Sequence, residues 1–220
     1  MTMTAKKPRV PAAATRERLL DAAEALFAQH EFDAVTIREV AELAQARLGL
    51  NHYYFKSKEE LFRQVLARRV EELSKLRLDM LARFRSETNT AALPVEKIVE
   101  AMIHPLLELS LGEDEGWKSY VRLNGRVATS EKYLRLAEGL YDPIAQIFIE
   151  ELGRSLPSCS RAQLEWGFLF LVSVMSGTFS ESGRVERLSD GAQRSSDLSA
   201  AYRAMVPFIA AGLRAISPEK

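Results

Sequence analysis

The stretch TIREVAELAQARLGLNHYYF, residues 36–55, followed by KSKEEL, residues 56–61, decides how the chain is read. Thr36 stands three residues before Glu39, the spacing of a capping box that opens a helix. Ile37, Val40, Ala41 and Ala44 then form one apolar stripe at helical spacing. A break follows at Gln45. A second short helix is expected from about Ala46 to Tyr53, carrying Arg47, Asn51, His52 and Tyr53. Ser57 and Glu60 repeat the capping-box spacing and open a longer helix. Two short helices joined by a tight turn, the second rich in hydrogen-bonding and aromatic side chains, suit a helix-turn-helix that reads DNA.

Outward from this motif the pattern stays helical. Residues Thr15 to His30 place Leu19, Leu20, Ala23, Leu26 and Phe27 on one face, with Thr15 as the expected cap. Arg16 and Arg18 near its start either meet phosphates or are solvated. A long helix is expected from Ser57 to about Arg85, with Arg68, Arg69, Glu71 and Glu72 as a solvated face. Further helices are expected over Val95 to Ser110, Glu115 to Thr129, Glu131 to Leu152, Ser160 to Ser182 and Leu198 to Ile216. No segment alternates cleanly with period two, and no internal repeat is present. The fold class is all-α, a three-helix head followed by a larger helical body.

The stretch from Thr15 through Leu61-Phe62 resembles the tetracycline-repressor (TetR) family of bacterial one-component regulators. Its carriers are the Thr15–His30 helix, Thr36-Ile37-Arg38, the aromatic cluster Tyr53-Tyr54-Phe55, and Ser57-Lys58-Glu59-Glu60-Leu61. The chain departs from the pattern at Gln45, where the family often has Gly. It departs again at Asn51, where an aliphatic residue is usual, and Leu48 and Leu50 replace more polar residues. The resemblance implies that Thr36 holds a phosphate at a helix N-terminus and that Lys58 clamps another. It implies that His52 and Tyr53 reach the DNA backbone, and that Arg47, Leu48, Gly49 and Leu50 face the major groove. There Arg47 would pair with guanine and the leucine methyls would touch thymine. Ala46, Asn51 and Phe55 would point inward. Three segments follow: a basic tail over 1–14, a DNA-binding domain over 15–62 with its motif at 36–55, and a ligand-binding and dimerisation domain over 63–220.

Composition agrees with this division. Of 220 residues, 47% are apolar, enough for a large core. Residues 1–85 hold 16 basic against 12 acidic residues, a net +4, and the remainder holds 14 against 18, a net −4. Lys6, Lys7 and Arg9 make the tail either a disordered end or a basic arm on DNA. The single cysteine, Cys159, excludes an internal disulfide framework and a cysteine zinc site. No signal peptide or membrane-length apolar run is visible, and a cytoplasmic location is expected.

One short recognition helix makes a weak site, so two half-sites about 34–36 Å apart, read by a homodimer, are expected. The dimer surface is sought on two C-terminal helices. One carries Trp166, Phe170, Val174 and Gly177, and the other carries Tyr202, Met205 and Ile209, with Pro207 as a kink. A small-molecule effector is expected among the middle helices. Candidate lining residues are Met102, His104, Leu107, Trp117, Tyr120, Arg122, Arg126, Tyr141 and Phe148. Arg122 and Arg126, four apart, share a helix face where they either hold an anionic group or pair at the surface.

Catalytic motifs are missing: there is no nucleophile elbow, phosphate loop or dinucleotide fingerprint. His30, His52 and His104 lack metal-ligand spacing. No catalytic residue, metal or cofactor is assigned, and no membrane partner. The function expected is a repressor that binds a palindromic double-stranded operator and is released by an apolar or amphipathic effector. The alternatives are a DNA-binding regulator without an inducer, and a small all-α enzyme using the central cavity.

Overall fold

The computed structural model describes residues 12–88 and 92–216, and every regular element among them is helical. The chain forms two compact units, Met1–Val65 and Leu66–Lys220.

The first unit holds α1 (Ala12–Gln29), a 3-10 turn (Phe32–Ala34), α2 (Ile37–Leu43), α3 (Leu48–Tyr54) and the start of α4 (Lys58–Thr88). Leu19, Leu20, Ala23 and Phe27 of α1 are buried, as their spacing requires. Phe27, Phe32 and Phe62 form a three-ring cluster, with Phe62 edge-on to the other two at 5.1 and 5.4 Å between centroids. Such packing contributes beyond simple area burial. Thr15 does not cap α1, because the helix begins at Ala12. Thr15 is instead buried, and its Oγ1 accepts from Arg18 at 3.5 Å.

The second unit is built on the rest of α4, followed by α5 (Val95–Leu111), α6 (Glu115–Thr129), α7 (Glu131–Leu136), α8 (Asp142–Ser155), α9 (Arg161–Phe179), α10 (Arg184–Leu188) and α11 (Leu198–Ala215). α5 packs against α6, α8 and α11, and α9 packs against α6, α8 and α11. Nine residues of α5 are buried, which suits a helix covered on most sides. α9 and α11 approach closely at Gly167, where an added Cβ would lie 2.7 Å from a Leu213 methyl.

One expected helix is two. Residues 131–152 divide into α7 and α8 because Gly139 takes φ +72, a left-handed conformation that ends a right-handed helix. Pro143 then sits in the first turn of α8, where its missing N–H costs nothing. Of the expected solvated face of α4, Glu71 and Glu72 are exposed, and Arg69 needs correction. Arg69 lies with its guanidinium 4.8 Å from the Trp117 ring centre, and it pairs with Asp114 at 3.3 Å.

Candidate functional site

The turn of the head is set by backbone physics. Thr36 Oγ1 accepts from Glu39 N at 3.2 Å, and the Glu39 carboxylate accepts from Thr36 N at 2.8 Å, so the capping box is complete. α2 ends in a Schellman pair: Ala46 N donates to Ala41 O at 2.9 Å and Gln45 N to Glu42 O at 3.1 Å. Gln45 closes that pair with φ 50, in the left-handed region where glycine is free of strain. The turn is therefore built with a residue that resists it.

The turn delivers α3 with one side in and one side out. Asn51 and Phe55 are each 1% exposed, four residues apart on the inner face. Arg47, Leu48, Gly49, His52 and Tyr53 are exposed, and Tyr53 reaches 77%. Leu50, Tyr54 and Ala46 are half-buried. Nothing lies within 4 Å of the point where a Gly49 Cβ would stand, so the backbone there is open to close approach. The Tyr53 and Tyr54 rings meet edge-on at 5.0 Å, which steadies an aromatic that the protein core does not cover. Asn51 Oδ1 is buried without a hydrogen-bond partner.

Two residues expected on phosphates are committed within the head. Lys58 Nζ donates to the carbonyls of Phe32, Val35 and Asp33 at 2.9, 3.0 and 3.4 Å, and sits 4.4 Å from the Phe32 ring centre. All three ammonium donors are thus used to close the 3-10 turn. The Thr36 hydroxyl is taken by the capping box, whose Glu39 carboxylate already supplies the anion at the N-terminus of α2. The Thr36 hydrogen bonds hold the Glu39 carboxyl below its ordinary value. Arg16 is likewise engaged, with Gln64 at 3.1 Å and over the Phe55 ring. Lys6, Lys7 and Arg9 lie outside the described residues.

In the second unit the expected lining residues separate. Met102, Leu107, Trp117, Tyr120 and Phe148 are buried, and the Tyr141 hydroxyl is buried although the residue as a whole is half-buried. Arg122 is exposed and Arg126 half-buried, which of the two alternatives for that pair favours the surface one. His104, two residues from Met102, points the other way. Its ring lies 5.5 Å from that of Tyr202, and Nε2 is 3.8 Å from Glu108. Sequence reasoning passed over Arg77, a residue 4% exposed whose charge is near Tyr120 and Tyr141. Its only signal was a cation within the apolar stripe of α4.

The proposed dimer residues also divide. Trp166 and Phe170 on α9 are 60% and 54% exposed, with rings 6.0 Å apart, and Gly177 is exposed. Val174 and Tyr202 are half-buried. Met205 and Ile209 are buried within the unit, because α11 turns that stripe towards α5 and α9. Phe208, one position before Ile209 and 69% exposed, takes the outward place on α11. Beside it runs an apolar groove of 690 Å³ between α9 and α11, bordered by Phe170 and Phe208 and floored by Leu171 and Ile209.

No group of metal-ligating side chains and no helix long and apolar enough to cross a membrane is present among the described residues. Comparison with known proteins supplies the family. The chain is 32% identical over 111 residues to the HTH-type transcriptional repressor KstR2 of Mycolicibacterium smegmatis, covering 47% of this chain and 50% of that protein. The chain spans about half the length of the curated relatives it matches. Among solved structures, the fatty acid degradation regulator FadR of Bacillus halodurans shares the fold at TM-score 0.63 and 15% identity, over 94% of this chain and 99% of that one. The SmeT–triclosan complex does so at TM-score 0.58 and 22% identity, over 90% and 91%. Residues 19–65 match the profile of bacterial regulatory proteins of the tetR family, and residues 100–212 match the tetracyclin repressor-like C-terminal domain. With both halves matched in their expected order, the chain belongs to the TetR family of bacterial regulators.

Proposed function

We propose that the protein is a transcriptional repressor that binds a palindromic double-stranded DNA operator as a homodimer and is released by a small effector. The observation that carries this is the outer face of α3. Arg47, Leu48, Gly49, His52 and Tyr53 stand exposed on a seven-residue helix, held from behind by Asn51 and Phe55. Such a helix, about 10 Å long, fits the major groove. Arg47 reads a base edge, and His52 and Tyr53 meet the backbone. Lys58 acts chiefly by holding the 3-10 turn in place, and through it the head.

The homodimer reading rests on the exposed Trp166, Leu169, Phe170 and Phe208. A contiguous apolar face of this kind marks an interaction surface. In this reading the DNA-binding domain covers 15–62 and the effector and dimer domain 63–220. A KstR2 repressor among the relatives and a small molecule bound to SmeT support the two halves of the reading. No turnover is assigned, and the protein works in the cytoplasm, where its operator lies.

Selection from a random duplex pool, with binding read at two salt concentrations, tests the proposal. Enrichment of an inverted repeat with steep salt dependence is expected. Arg47→Ala relaxes base preference at one position of each half-site, while Lys58→Ala weakens binding to all sequences alike and lowers the stability of the head. Folded, ligand-stripped protein that enriches no duplex overturns the reading.

A further inference from the structure

Arg77 stands where four helices of the second unit and the residue before α8 come together. It projects from α4, its Nε donates to the Met102 carbonyl of α5 at 2.9 Å, and one Nη lies 3.8 Å from the Met175 sulfur of α9. Tyr120 of α6 and Tyr141, the residue that precedes α8, lie close enough for their hydroxyls to act on its charge. The Tyr141 hydroxyl is buried beside that of Tyr120 but completes no hydrogen bond of full geometry.

No carboxylate pairs with Arg77 among the described residues. That is unusual, because a buried charge ordinarily sits with its counter-ion. The same unit obeys the rule elsewhere: Glu151, also buried, is met by both Arg85 and Arg154. A structural duty accounts for part of Arg77. Pro105 removes a backbone donor from α5, and the Arg77 bond to Met102 braces the helix one turn before it. That duty uses one N–H of five. A second N–H faces only a thioether, a weak acceptor on a flexible side chain that can move aside. Burial pulls Arg77 down to about 10 and pushes Tyr141 well above its ordinary value. At neutral pH Arg77 is therefore a cation and the Tyr141 phenol beside it is neutral.

We infer that Arg77, Tyr120 and Tyr141 form the head-group site for an organic monocarboxylate, which is the effector of the regulator proposed above. One fixed positive charge is balanced by one negative charge. A phosphate monoester, carrying nearly two, would leave buried charge over. The guanidinium takes the carboxylate in a two-pronged bond, displacing Met175 Sδ, and the phenols donate to its oxygens. Trp117, whose ring meets that of Tyr120 at 5.5 Å, and the methionines receive the apolar part.

The inference rests on the repressor reading, and the experiment separates the two. Full-length protein is melted with decanoate, phenylacetate, the matched alcohols decanol and phenylethanol, and decyl phosphate. Emission is read in the unaltered chain, where a ligand that reaches Trp117 changes the signal of one of its two tryptophans. At least one carboxylate raises Tm by about 5–10 °C at hundredfold saturation and changes tryptophan emission, while its alcohol shifts Tm by less than a third as much. Arg77→Met removes the carboxylate shift, and Tyr141→Phe weakens carboxylate affinity about tenfold. Should Arg77→Met not fold, Tyr141→Phe decides on the same comparison. The inference is overturned by equal shifts for acid and alcohol, by a larger shift with decyl phosphate, by no shift at all, or by carboxylate affinity unchanged in the variants. An operator enriched by a protein deaf to carboxylates sinks this inference alone. Carboxylate binding without any operator sinks the repressor and leaves the site.

Discussion

Replacing Gln45 by glycine tests whether the turn before α3 is strained. Gln45 holds φ 50 and closes the Schellman pair through its own N–H to Glu42 O at 3.1 Å. A left-handed L-residue costs about 1–2 kcal/mol, from Cβ crowding the neighbouring carbonyl. Glycine removes that crowding but loses more freedom on folding, about 0.5–1 kcal/mol. The net gain expected for Gln45→Gly is about 0.5–1 kcal/mol, or about 1–4 °C in Tm for a chain of this length. Urea titration followed by tryptophan fluorescence is unsuitable, since Trp117 and Trp166 both lie in the second unit. Far-ultraviolet circular dichroism with hydrogen exchange of the α2 and α3 amides reports on the head itself. Gln45→Ala retains the Cβ and should gain nothing. Gln45→Val, with a β-branched side chain, should lose about 1 kcal/mol or more. If Gln45→Ala stabilises as much as Gln45→Gly, or Gln45→Gly weakens the α2 amides, backbone strain is not what limits this turn.

Three further outcomes follow from the same geometry. Asn51→Leu removes a buried oxygen without a partner, and the head should gain about 1–3 kcal/mol by hydrogen exchange; a loss would mean that a bound water completes the site. Phe170→Glu and Phe208→Glu place charge on the exposed α9–α11 face, so sedimentation should show monomers with unchanged helix content, whereas Met205→Glu, in the interior, should unfold the unit. The Glu39 carboxyl is held below its unfolded value, so its contribution is present above about pH 4.5 and is lost as pH falls through the lower folded value. Thr36→Ala should cost about 1 kcal/mol at pH 7 and flatten that acid limb of the stability curve, and an unaltered limb would assign the pH dependence to another carboxylate.

What could be read along the chain was whatever depends on residues three or four apart. The capping box of Thr36 and Glu39 and the break at Gln45 are of this kind, and the structure has both in place, whereas the inward placing of Asn51 and Phe55 was implied by the family resemblance and is met by their burial. The division at Gly139 was legible too, from a glycine and a following Pro143, but the apolar period ran across it and hid the break. Other features depend on partners far away in sequence. Lys58 follows a capping serine and looks like a free cation until the chain brings Phe32 and Val35, more than twenty residues earlier, beneath its ammonium. Met205 and Phe208 are both apolar on one helix, and only the packing of α11 on α5 and α9 buries the first and leaves the second outside. Arg77 lies in a stripe of leucines and valines that any helix could present. Its lack of a carboxylate partner among the described residues arises from where its neighbouring helices meet, and burial is a property of that meeting rather than of the residue.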